Sequence, residues 1–339
     1  MNTDARWITE AEVVGLMHLK DAIDALERGL REEAAHSARN MEKTTTHWGS
    51  SSNMHAIGAV VEGAGIFGTK SWGHTPEGST PLLMMWNAQN GQLLAIIEAT
   101  ALGQMRTGSM SGVATRWMSR ADADDLAIIG SGKQALTQVA AISAVRKLRR
   151  LRVYSPTPAK RFSFTERLKS HFPNAEILMF NSVATAVHGA SIITLVTRAR
   201  EPILDVSMIA RGAHLNAVGA ITIERKEFAQ NVFSRADIVA VDSLPTTRQL
   251  SSEFIEQYGK DDGGWARVQR ISDIVAQAKP RPSNIDLSLF KAMGMGISDL
   301  ALGIEILRRA ESAGSGHPIR QPVSVTPRIF EPTQRETAA

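Results

Sequence analysis

A glycine-rich segment carries the clearest chemical signal in this 339-residue sequence. It consists of Gly130-Ser131-Gly132-Lys133-Gln134-Ala135 and follows the apolar run 126–129. In the pattern Gly-x-Gly-x-x-Ala, the first glycine allows a tight turn, the second lets backbone amides approach a pyrophosphate, and the small last residue allows a helix to pack closely on a strand. A helix that begins here directs its free N–H groups at the phosphates. The segment predicts a dinucleotide site formed by Gly130, Gly132, Lys133, Gln134 and Ala135, and the alternative is a strand-to-helix turn without a ligand.

The end of the next predicted strand indicates which dinucleotide binds. The segment Tyr154-Ser155-Pro156-Thr157-Pro158-Ala159-Lys160-Arg161 contains no carboxylate that would accept hydrogen bonds from a free ribose 2′-OH. Hydroxyl and cationic groups suit a 2′-phosphate instead. We therefore expect NADP(H) to be favoured over NAD(H), with contacts from Ser155, Thr157, Lys160 and Arg161. The alternative for Lys160 and Arg161 is a solvated first helical turn.

Two basic residues lie in unusually apolar surroundings. Lys70 follows the run Gly65-Ile66-Phe67-Gly68-Thr69, and Arg106 lies within a largely apolar helical stretch. A buried cation is costly unless it is paired, so each residue indicates an anion that binds there. The alternative for either residue alone is an exposed charge.

The first third of the chain predicts two short helices followed by a small, mainly antiparallel sheet. Apolar residues recur at helical spacing over residues 9–34. Asn90-Gly91 between two apolar runs is a strong hairpin signal, because both residues tolerate a positive φ. A further helix is expected from about residue 100 to 119. The predicted strands of this region cover residues 56–61, 65–72, 81–86 and 92–98.

From residue 121 onwards, apolar strands alternate with longer helices. Strands separated by helices imply right-handed crossovers and a parallel sheet that is covered on both faces. We expect an α/β protein: a Rossmann-type doubly wound parallel sheet over 121–299, plus a smaller α+β substrate-binding and dimerisation domain over 1–120 that is completed by about 300–325. Residues 326–339 are expected to form a tail. The predicted strands of the parallel sheet are 126–129, 151–154, 175–179, 192–196, 214–217 and 238–241.

Composition excludes several functional classes. The chain contains no cysteine, which removes disulfides and thiolate chemistry and fits a reducing compartment. Its histidines lack the spacing of a metal site, so no metal is predicted. The polar N-terminus and the absence of a long apolar span argue against export and membrane insertion, so we expect a cytoplasmic protein. The dense basic stretch 146–152 is interpreted as a helix C-terminus rather than a nucleic-acid site.

Short segments spread over nearly the whole chain form a recognisable series. They cover residues 68–70, 80–82, 90–91, 106–108, 130–135, 212–220, 236–237, 242–243, 290–294 and 299–300. In this order they resemble the ornithine cyclodeaminase and mu-crystallin family. The resemblance implies a homodimer whose first domain forms both the substrate site and the dimer contact.

The resemblance also implies roles for individual residues. Lys70 matches a residue beside the reacting carbon, and Arg106 matches one that holds the substrate carboxylate, a task that suits the bidentate guanidinium. Lys43 occupies the position of a second carboxylate-binding arginine. It keeps the positive charge of that arginine but lacks the planar guanidinium that binds a carboxylate in a bidentate manner. By the same resemblance, Thr107 and Gly108 approach the pyrophosphate, and Met293 and Gly294 approach the nicotinamide.

One departure from the family pattern bears on the reaction. Cyclodeaminases have an aspartate where this chain has Ile221. Isoleucine cannot transfer a proton, and nothing in the sequence places Glu224 within reach as a replacement. We therefore predict an NAD(P)H-dependent oxidoreductase that reduces small α-imino acids or, in reverse, oxidises amino acids. The alternatives are an ornithine or lysine cyclodeaminase and a non-catalytic NADP-dependent binding protein.

Overall fold

The first third of the chain alternates short helices with the strands of one sheet. The structure is a computed structural model that describes residues 4–259 and 262–329. The predicted tail, 326–339, lies outside the described residues from position 330 onwards. The elements of this region are β1 (Ala5–Ile8), α1 (Glu10–Leu16), α2 (Leu19–Ala34), β2 (Ala38–Asn40), β3 (Thr44–Trp48), β4 (Ser52–Val61), β5 (Ile66–His74), β6 (Leu82–Asn87), β7 (Leu93–Glu98) and α3 (Thr100–Met118).

The remaining elements alternate strands and helices. They are β8 (Asp125–Ile129), α4 (Ala135–Ser143), β9 (Arg150–Tyr154), α5 (Pro158–His171), β10 (Glu176–Met179), α6 (Val183–Val187), β11 (Ile192–Leu195), β12 (Ala213–Ala217), β13 (Ala236–Val241), α7 (Leu244–Leu250), α8 (Ser252–Tyr258), α9 (Asp262–Trp265), β14 (Val268–Arg270), α10 (Ile271–Gln277), β15 (Leu287–Lys291), α11 (Gly296–Ala313) and β16 (His317–Ile319).

The first sheet has eight strands in the order β16-β1-β7-β6-β5-β4-β2, with β3 paired to β4 outside this path. Its central strands β4 to β7 are antiparallel neighbours, as predicted, whereas β1 joins β7 in parallel. Sequence analysis did not predict β1, β2, β3 or β16, because these strands are short and their pairing partners are distant in sequence. One face of the sheet packs on α2, α3 and α11, and the core between them is apolar.

The second sheet is entirely parallel, in the order β10-β9-β8-β11-β12-β15-β13-β14. The six strands predicted for it are all present within two residues of their predicted bounds, and β14 and β15 are additional. The chain passes from β8 outward to β9 and β10, then returns to β11 on the other side of β8. This reversal of direction creates the crevice at which such sheets bind ligands. The predicted Rossmann-type α/β fold is confirmed.

Helix α3 joins the two sheets. Its Gly108 packs on α4, where a Cβ atom would lie 2.8 Å from Cγ2 and 2.9 Å from the carbonyl oxygen of Thr137. At its C-terminal end, the Arg146 guanidinium donates hydrogen bonds to the carbonyl oxygens of Thr115, Arg116 and Ser119. The basic stretch 146–152 was predicted to end its own helix, but α4 ends at Ser143 and Arg146 binds the end of α3 instead. The position of α3 is therefore fixed at its middle and at its C-terminal end.

Candidate active site between the two sheets

Lys70 is the buried cation at the centre of the candidate site. It lies on β5 and points toward the helices, where it is only 4% exposed. Its Nζ is paired with the carboxylate of Asp299 and lies 5.1 Å from the centroid of the Trp72 ring. Burial lowers the pKa of Lys70 to about 8, with the nearby cations Arg106 and Lys43 acting in the same direction and Asp299 opposing them. The amine can therefore exchange a proton near neutral pH.

Asp299 lies in the first turn of α11 and is 1% exposed. Its Oδ1 contacts Lys70 Nζ and is 3.4 Å from Arg106 Nε. Its Oδ2 is buried and has no hydrogen-bond partner among the described residues. A buried carboxylate oxygen normally has a partner, so this atom indicates a ligand or an ordered water molecule.

Arg106 reaches the same carboxylate from α3. Its side chain is 19% exposed, and its Nε has no hydrogen-bond partner within the described ranges. Gly294, with φ +89°, lies directly against the guanidinium, because a Cβ atom there would be 3.0 Å from Arg106 Nη1. Lys70, Arg106 and Gly294 thus meet at one place, although they come from three separate elements.

Asp242 fixes the backbone beside this meeting point. Its side chain is fully buried and accepts hydrogen bonds from the amides of Met293 (2.8 Å), Gly294 (2.7 Å) and Ser243 (2.7 Å). Burial raises the pKa of Asp242, while the hydrogen bonds from these amides and the charge of Arg106 lower it. The carboxylate therefore holds the segment that sequence analysis assigned to the nicotinamide.

Lys43 lies between β2 and β3 and is half-buried. Burial lowers the pKa of Lys43, and the charge of Arg106 acts in the same direction while that of Asp242 opposes both. These mutual effects place Lys43 in the electrostatic neighbourhood of Arg106. The structure thus brings Lys70 and Arg106 to one carboxylate, and Lys43 lies near enough for its charge to act on the pKa of Lys70.

The glycine-rich loop follows β8 at the crevice of the parallel sheet. Gly130 has φ +118°, and a Cβ atom there would be 2.6 Å from the carbonyl oxygen of Val196. In contrast, a Cβ atom on Gly132 would meet no described atom within 4 Å. The loop is therefore tight at its first glycine and open at its second. Helix α4 begins immediately afterwards at Ala135, with Gln134 at its N-cap position. The Lys133 side chain, just before the helix, is exposed.

The residues predicted for the ribose end are divided between the surface and the interior. Thr157 and Lys160 are exposed. Arg161 is only 7% exposed, and its guanidinium donates to the carbonyl oxygen of Ser155 (2.7 Å) and to Oδ1 of Asn181 (2.9 Å). The Ser155 hydroxyl accepts from Ser131 Oγ of the glycine-rich loop at 2.9 Å. The structure does not bring Arg161 to the surface with Lys160, because the hydrogen bonds to Ser155 and Asn181 hold it inside.

Thr107 and Gly108 face the parallel-sheet lobe from α3. The Thr107 carbonyl oxygen accepts a hydrogen bond of 3.3 Å from the side-chain amide (Nε2) of Gln138 on α4. Its hydroxyl donates back to Gly103, and Gly108 packs on Thr137 as described above. Their observed contacts are thus helix-to-helix, and their approach to a pyrophosphate stays a prediction.

A buried glutamate holds the loops that follow β11 and β12. Glu227 Oε1 accepts from the amide and hydroxyl of Thr197 (2.7 and 2.8 Å), and Oε2 accepts from the amides of Gly219 (2.7 Å) and Ala220 (3.1 Å). Ile221, next along the chain, is half-buried. Glu224 is exposed, and its own backbone amide, together with the charges of Arg225 and Arg200, lowers its pKa.

Sequence analysis gave no role to Asp299, Asp242 or Glu227. It included Asp299 and Asp242 only as members of matching segments. Asp299 carries a signal of the same kind as Lys70, namely a charge within an otherwise apolar stretch. No comparable pattern marks Glu227, whose four donors come from Thr197, thirty residues earlier, and from the nearer Gly219 and Ala220.

Two further features of residues 4–259 and 262–329 bear on other classes of function. No helix there has both the length and the apolar character needed to cross a membrane. Within the same ranges, no group of three potential ligands is arranged to hold a metal ion.

Comparison with known proteins places this geometry in context. A family model described as the ornithine cyclodeaminase/mu-crystallin family matches residues 4–314. A Delta(1)-pyrroline-2-carboxylate reductase of Bacillus cereus is 27% identical over 324 residues, which cover 92% of this chain and 98% of the relative. The ketimine reductase mu-crystallin of Rattus norvegicus is 27% identical over 64% of this chain and 66% of its own length.

A solved structure has the same fold. It is the Delta(1)-pyrroline-2-carboxylate reductase of Thermococcus litoralis in complex with NADH and L-proline. The TM-score is 0.85 at 25% identity, and the match covers 93% of this chain and 100% of that one.

Proposed function

Because the chain belongs to the ornithine cyclodeaminase/mu-crystallin family, we propose that it is a nicotinamide-dependent oxidoreductase that reduces small α-imino acids to amino acids and oxidises them in reverse. The observation that carries this proposal is the buried group of Lys70, Asp299 and Arg106 beside Gly294. It combines a proton donor with a cation that suits a carboxylate.

The residues present fit a dinucleotide. The space above Gly132 leaves room for a close approach of a pyrophosphate to the backbone, and the N-terminus of α4 offers N–H donors to it. We assign Gly130, Gly132, Lys133, Gln134 and Ala135 to the phosphates, with Thr107 and Gly108 on the opposite side, and Met293 and Gly294 to the nicotinamide. When bound, the reduced nicotinamide supplies a hydride.

The protein side chains bind the substrate and move a proton. The Arg106 guanidinium, assisted by Lys43, binds the α-carboxylate and fixes the position of the C=N carbon. Lys70 donates a proton from Nζ to the imine nitrogen, so that the nitrogen becomes an amine as its carbon accepts the hydride. The neutral Lys70 then regains a proton from solvent, and Asp299 favours this charged form.

We retain NADP(H) as the favoured cofactor, with NAD(H) possible. The absence of a carboxylate from residues 154–161 and the exposure of Lys160 and Thr157 support this preference. Ser155 contributes by holding Ser131 of the glycine-rich loop, and Arg161 contributes by ordering the same turn from inside. Comparison of the KM values for NADPH and NADH in Lys160→Ala tests the preference, since only the KM for NADPH should rise.

We further propose that the protein acts as a homodimer with a small-molecule substrate and without nucleic acid or membrane. The face of the first sheet opposite the helices carries an apolar patch: Phe67, 38% exposed, stacks on Trp86 with ring centroids 5.4 Å apart, and Met84 pairs with Ile96 beside them. A second copy of this chain would cover such a patch. The domain division at residue 120 and the cytoplasmic location also stay predictions.

An absorbance assay at about 340 nm tests the proposed reaction, because a reductase consumes the reduced cofactor and a cyclodeaminase does not. Purified protein is mixed with NADPH or NADH and either a cyclic imine or a 2-oxo acid with an amine. We expect cofactor oxidation that depends on both substrates. Ammonia release from ornithine or lysine without any net change in cofactor would contradict the proposal.

Cyclodeamination is the second candidate, and one observation weighs against it. The loop position that carries an aspartate in cyclodeaminases is Ile221, and the nearby Glu224 is exposed, with its pKa lowered rather than raised. A binding protein without turnover is the third candidate. The lowered pKa of Lys70 favours an enzyme, because a storage site does not need an amine that is ready to donate a proton.

A further inference from the structure

The face of the first sheet that carries Lys70 continues beyond the buried site. In an antiparallel sheet, directly paired residues point to the same side. Lys70 pairs with Ile57, Trp72 with His55, and His74 with Asn53. On the adjoining strand, Thr45 pairs with His55 and His47 with Asn53. This extended face, which we call the histidine face, consists of Thr45, His47, Asn53, His55, Trp72 and His74.

Direct contacts connect the histidine face to the reacting centre. The His55 ring lies 4.9 Å from the Trp72 ring, and Lys70 Nζ lies 5.1 Å from the same indole. Thr45 Oγ1 is 2.8 Å from His55 Nδ1. A substrate whose α-carbon lies beside Lys70 therefore has polar and aromatic groups next to it in the direction of His55.

The charges on this face have one sign. Strands β3, β4 and β5 contain no aspartate or glutamate, and the acidic residues of the adjoining loops, Glu42 and Glu77, are exposed. Burial lowers the pKa of His55 to about 4, and the charges of Lys43, His47 and His74 add to that effect. The cation beside this face is therefore Lys43, and the imidazole rings add hydrogen-bonding groups that no carboxylate neutralises. Such a site is stabilised by an anion and destabilised by another cation.

We propose that the histidine face is the subsite for the substrate side chain, and that it takes an imino or amino acid whose side chain ends in a second carboxylate and rejects one that ends in an ammonium. This inference rests on the proposed function, because the α-carboxylate must be held by Arg106 for the side chain to extend along this face. The imidazole N–H groups and the Lys43 ammonium would donate hydrogen bonds to the second carboxylate.

Three amino acids of equal chain length separate charge from size: L-glutamate, L-norvaline and L-ornithine. Their oxidation is followed with NADP+ and NAD+ as kcat/KM, together with the four-carbon set L-aspartate, L-2-aminobutyrate and L-2,4-diaminobutyrate. We expect the anionic member to exceed the neutral one by about tenfold, as for a charge-assisted contact in a partly exposed site, and the cationic member to be the poorest. In at least one of the two sets this order must hold.

A variant links the preference to the face itself. His55→Phe keeps an aromatic ring against Trp72 but removes both ring nitrogens, and the ratio of kcat/KM for the anionic member to that for the neutral member should fall toward one. A ratio is insensitive to a general loss of folded protein. His171→Phe, on the exposed last turn of α5, is the matched control and should keep the wild-type ratio.

The outcomes separate this inference from the proposed function. Turnover of neutral amino acids with no preference for the anionic member in either set, or with a preference for the cationic member in both sets, would overturn the inference alone. A normal ratio in His55→Phe would also overturn it. No turnover of any amino acid, cyclic imine or 2-oxo acid with amine would overturn both.

Discussion

At the scale of single residues, the site is organised around an imbalance of charge. Lys70 and Arg106 share the one carboxylate of Asp299 in a region almost without solvent. Removing charges from water costs several kcal/mol per ion unless each is paired, so one unit of positive charge remains to be matched. A substrate carboxylate supplies that charge to the guanidinium of Arg106, whose Nε makes an ion pair but no hydrogen bond among the described residues. The buried Oδ2 of Asp299 can accept a hydrogen bond from an N–H group of the substrate or from water.

Substitution of Lys70 tests its role as the proton donor. Lys70→Met keeps the apolar length of the side chain and removes the ammonium, so kcat for imine reduction should fall by about 10² to 10⁴, the usual contribution of a general acid. Stopped-flow or steady-state oxidation of NADPH measures this loss. Lys169→Met, on the exposed face of α5, is the matched control. Full activity in Lys70→Met would exclude the lysine as donor.

The pH dependence of reduction gives an independent test. Only the protonated amine can donate, and the pKa of Lys70 is lowered to about 8, so kcat/KM should fall as the pH rises through about 8. Asp299 favours the charged form of Lys70, so Asp299→Asn should lower that pKa. The fall of kcat/KM should then occur at a pH that is lower by roughly one unit. If kcat/KM falls at the same pH in Asp299→Asn as in the wild type, a group other than Lys70 titrates.

At the scale of elements, α3 and the glycine-rich loop position the two halves of the site. Helix α3 carries Arg106 toward Asp299 and rests on α4, which directly follows the loop. Gly108, at the middle of α3, makes that close packing possible, and Arg146 holds the C-terminal end of α3 through three carbonyl oxygens. Arg106, which is assigned to the substrate carboxylate, and the glycine-rich loop, which is assigned to the cofactor, are thereby held at a fixed distance from each other.

Two glycine substitutions separate packing from binding. In Gly108→Ala the new Cβ would approach Thr137 to less than 3 Å, so the free energy of unfolding should fall by about 1–3 kcal/mol, as is usual for overpacking. In Gly132→Ala the new Cβ enters open space, so stability should be unchanged while the dissociation constant for NADPH rises. Urea unfolding and fluorescence titration measure the two quantities. Equal effects of both variants on both quantities would contradict this assignment.

Local patterns in the sequence predicted part of this arrangement and missed the rest for physical reasons. The β8 strand and its glycine loop were predicted correctly, because apolar period and turn chemistry are local. The inward turn of Arg161 was not predicted, because it depends on Asn181, twenty residues away and on a different element. The same holds for Asp299, whose partner Lys70 lies 229 residues earlier in the chain. The roles assigned to the site residues stay predictions.

At the scale of the whole molecule, the first sheet has two faces with different uses. Its inner face packs on the helices and carries Lys70, and its outer face presents Phe67, Met84, Trp86 and Ile96. A sheet face that borders water normally carries polar residues, which alternate along each strand with the apolar residues of the buried face. The apolar patch on the outer face therefore indicates an interface. In a dimer formed there, the sheet that carries Lys70 on its inner face would contact the partner with its outer face.

Disruption of that face should separate the subunits. Met84→Asp introduces a charge at the middle of the patch, so we expect the species in sedimentation velocity to shift from twice the chain mass to the single-chain mass of 36.8 kDa. Met179→Asp, at an exposed position of β10, is the control and should leave the mass unchanged. A dimer that survives Met84→Asp would mean that the subunits meet elsewhere.

Isotope transfer tests the central claim most directly. The protein is supplied with NADPH or NADH that carries deuterium at the transferable position of C4, together with a cyclic imine or a 2-oxo acid and an amine, and the product is analysed by mass spectrometry and NMR. We predict one deuterium on the α-carbon of the amino acid and none elsewhere. An amino acid product that forms without deuterium at that carbon would contradict the claim that the site delivers a hydride to a C=N bond held by Arg106 and Lys70.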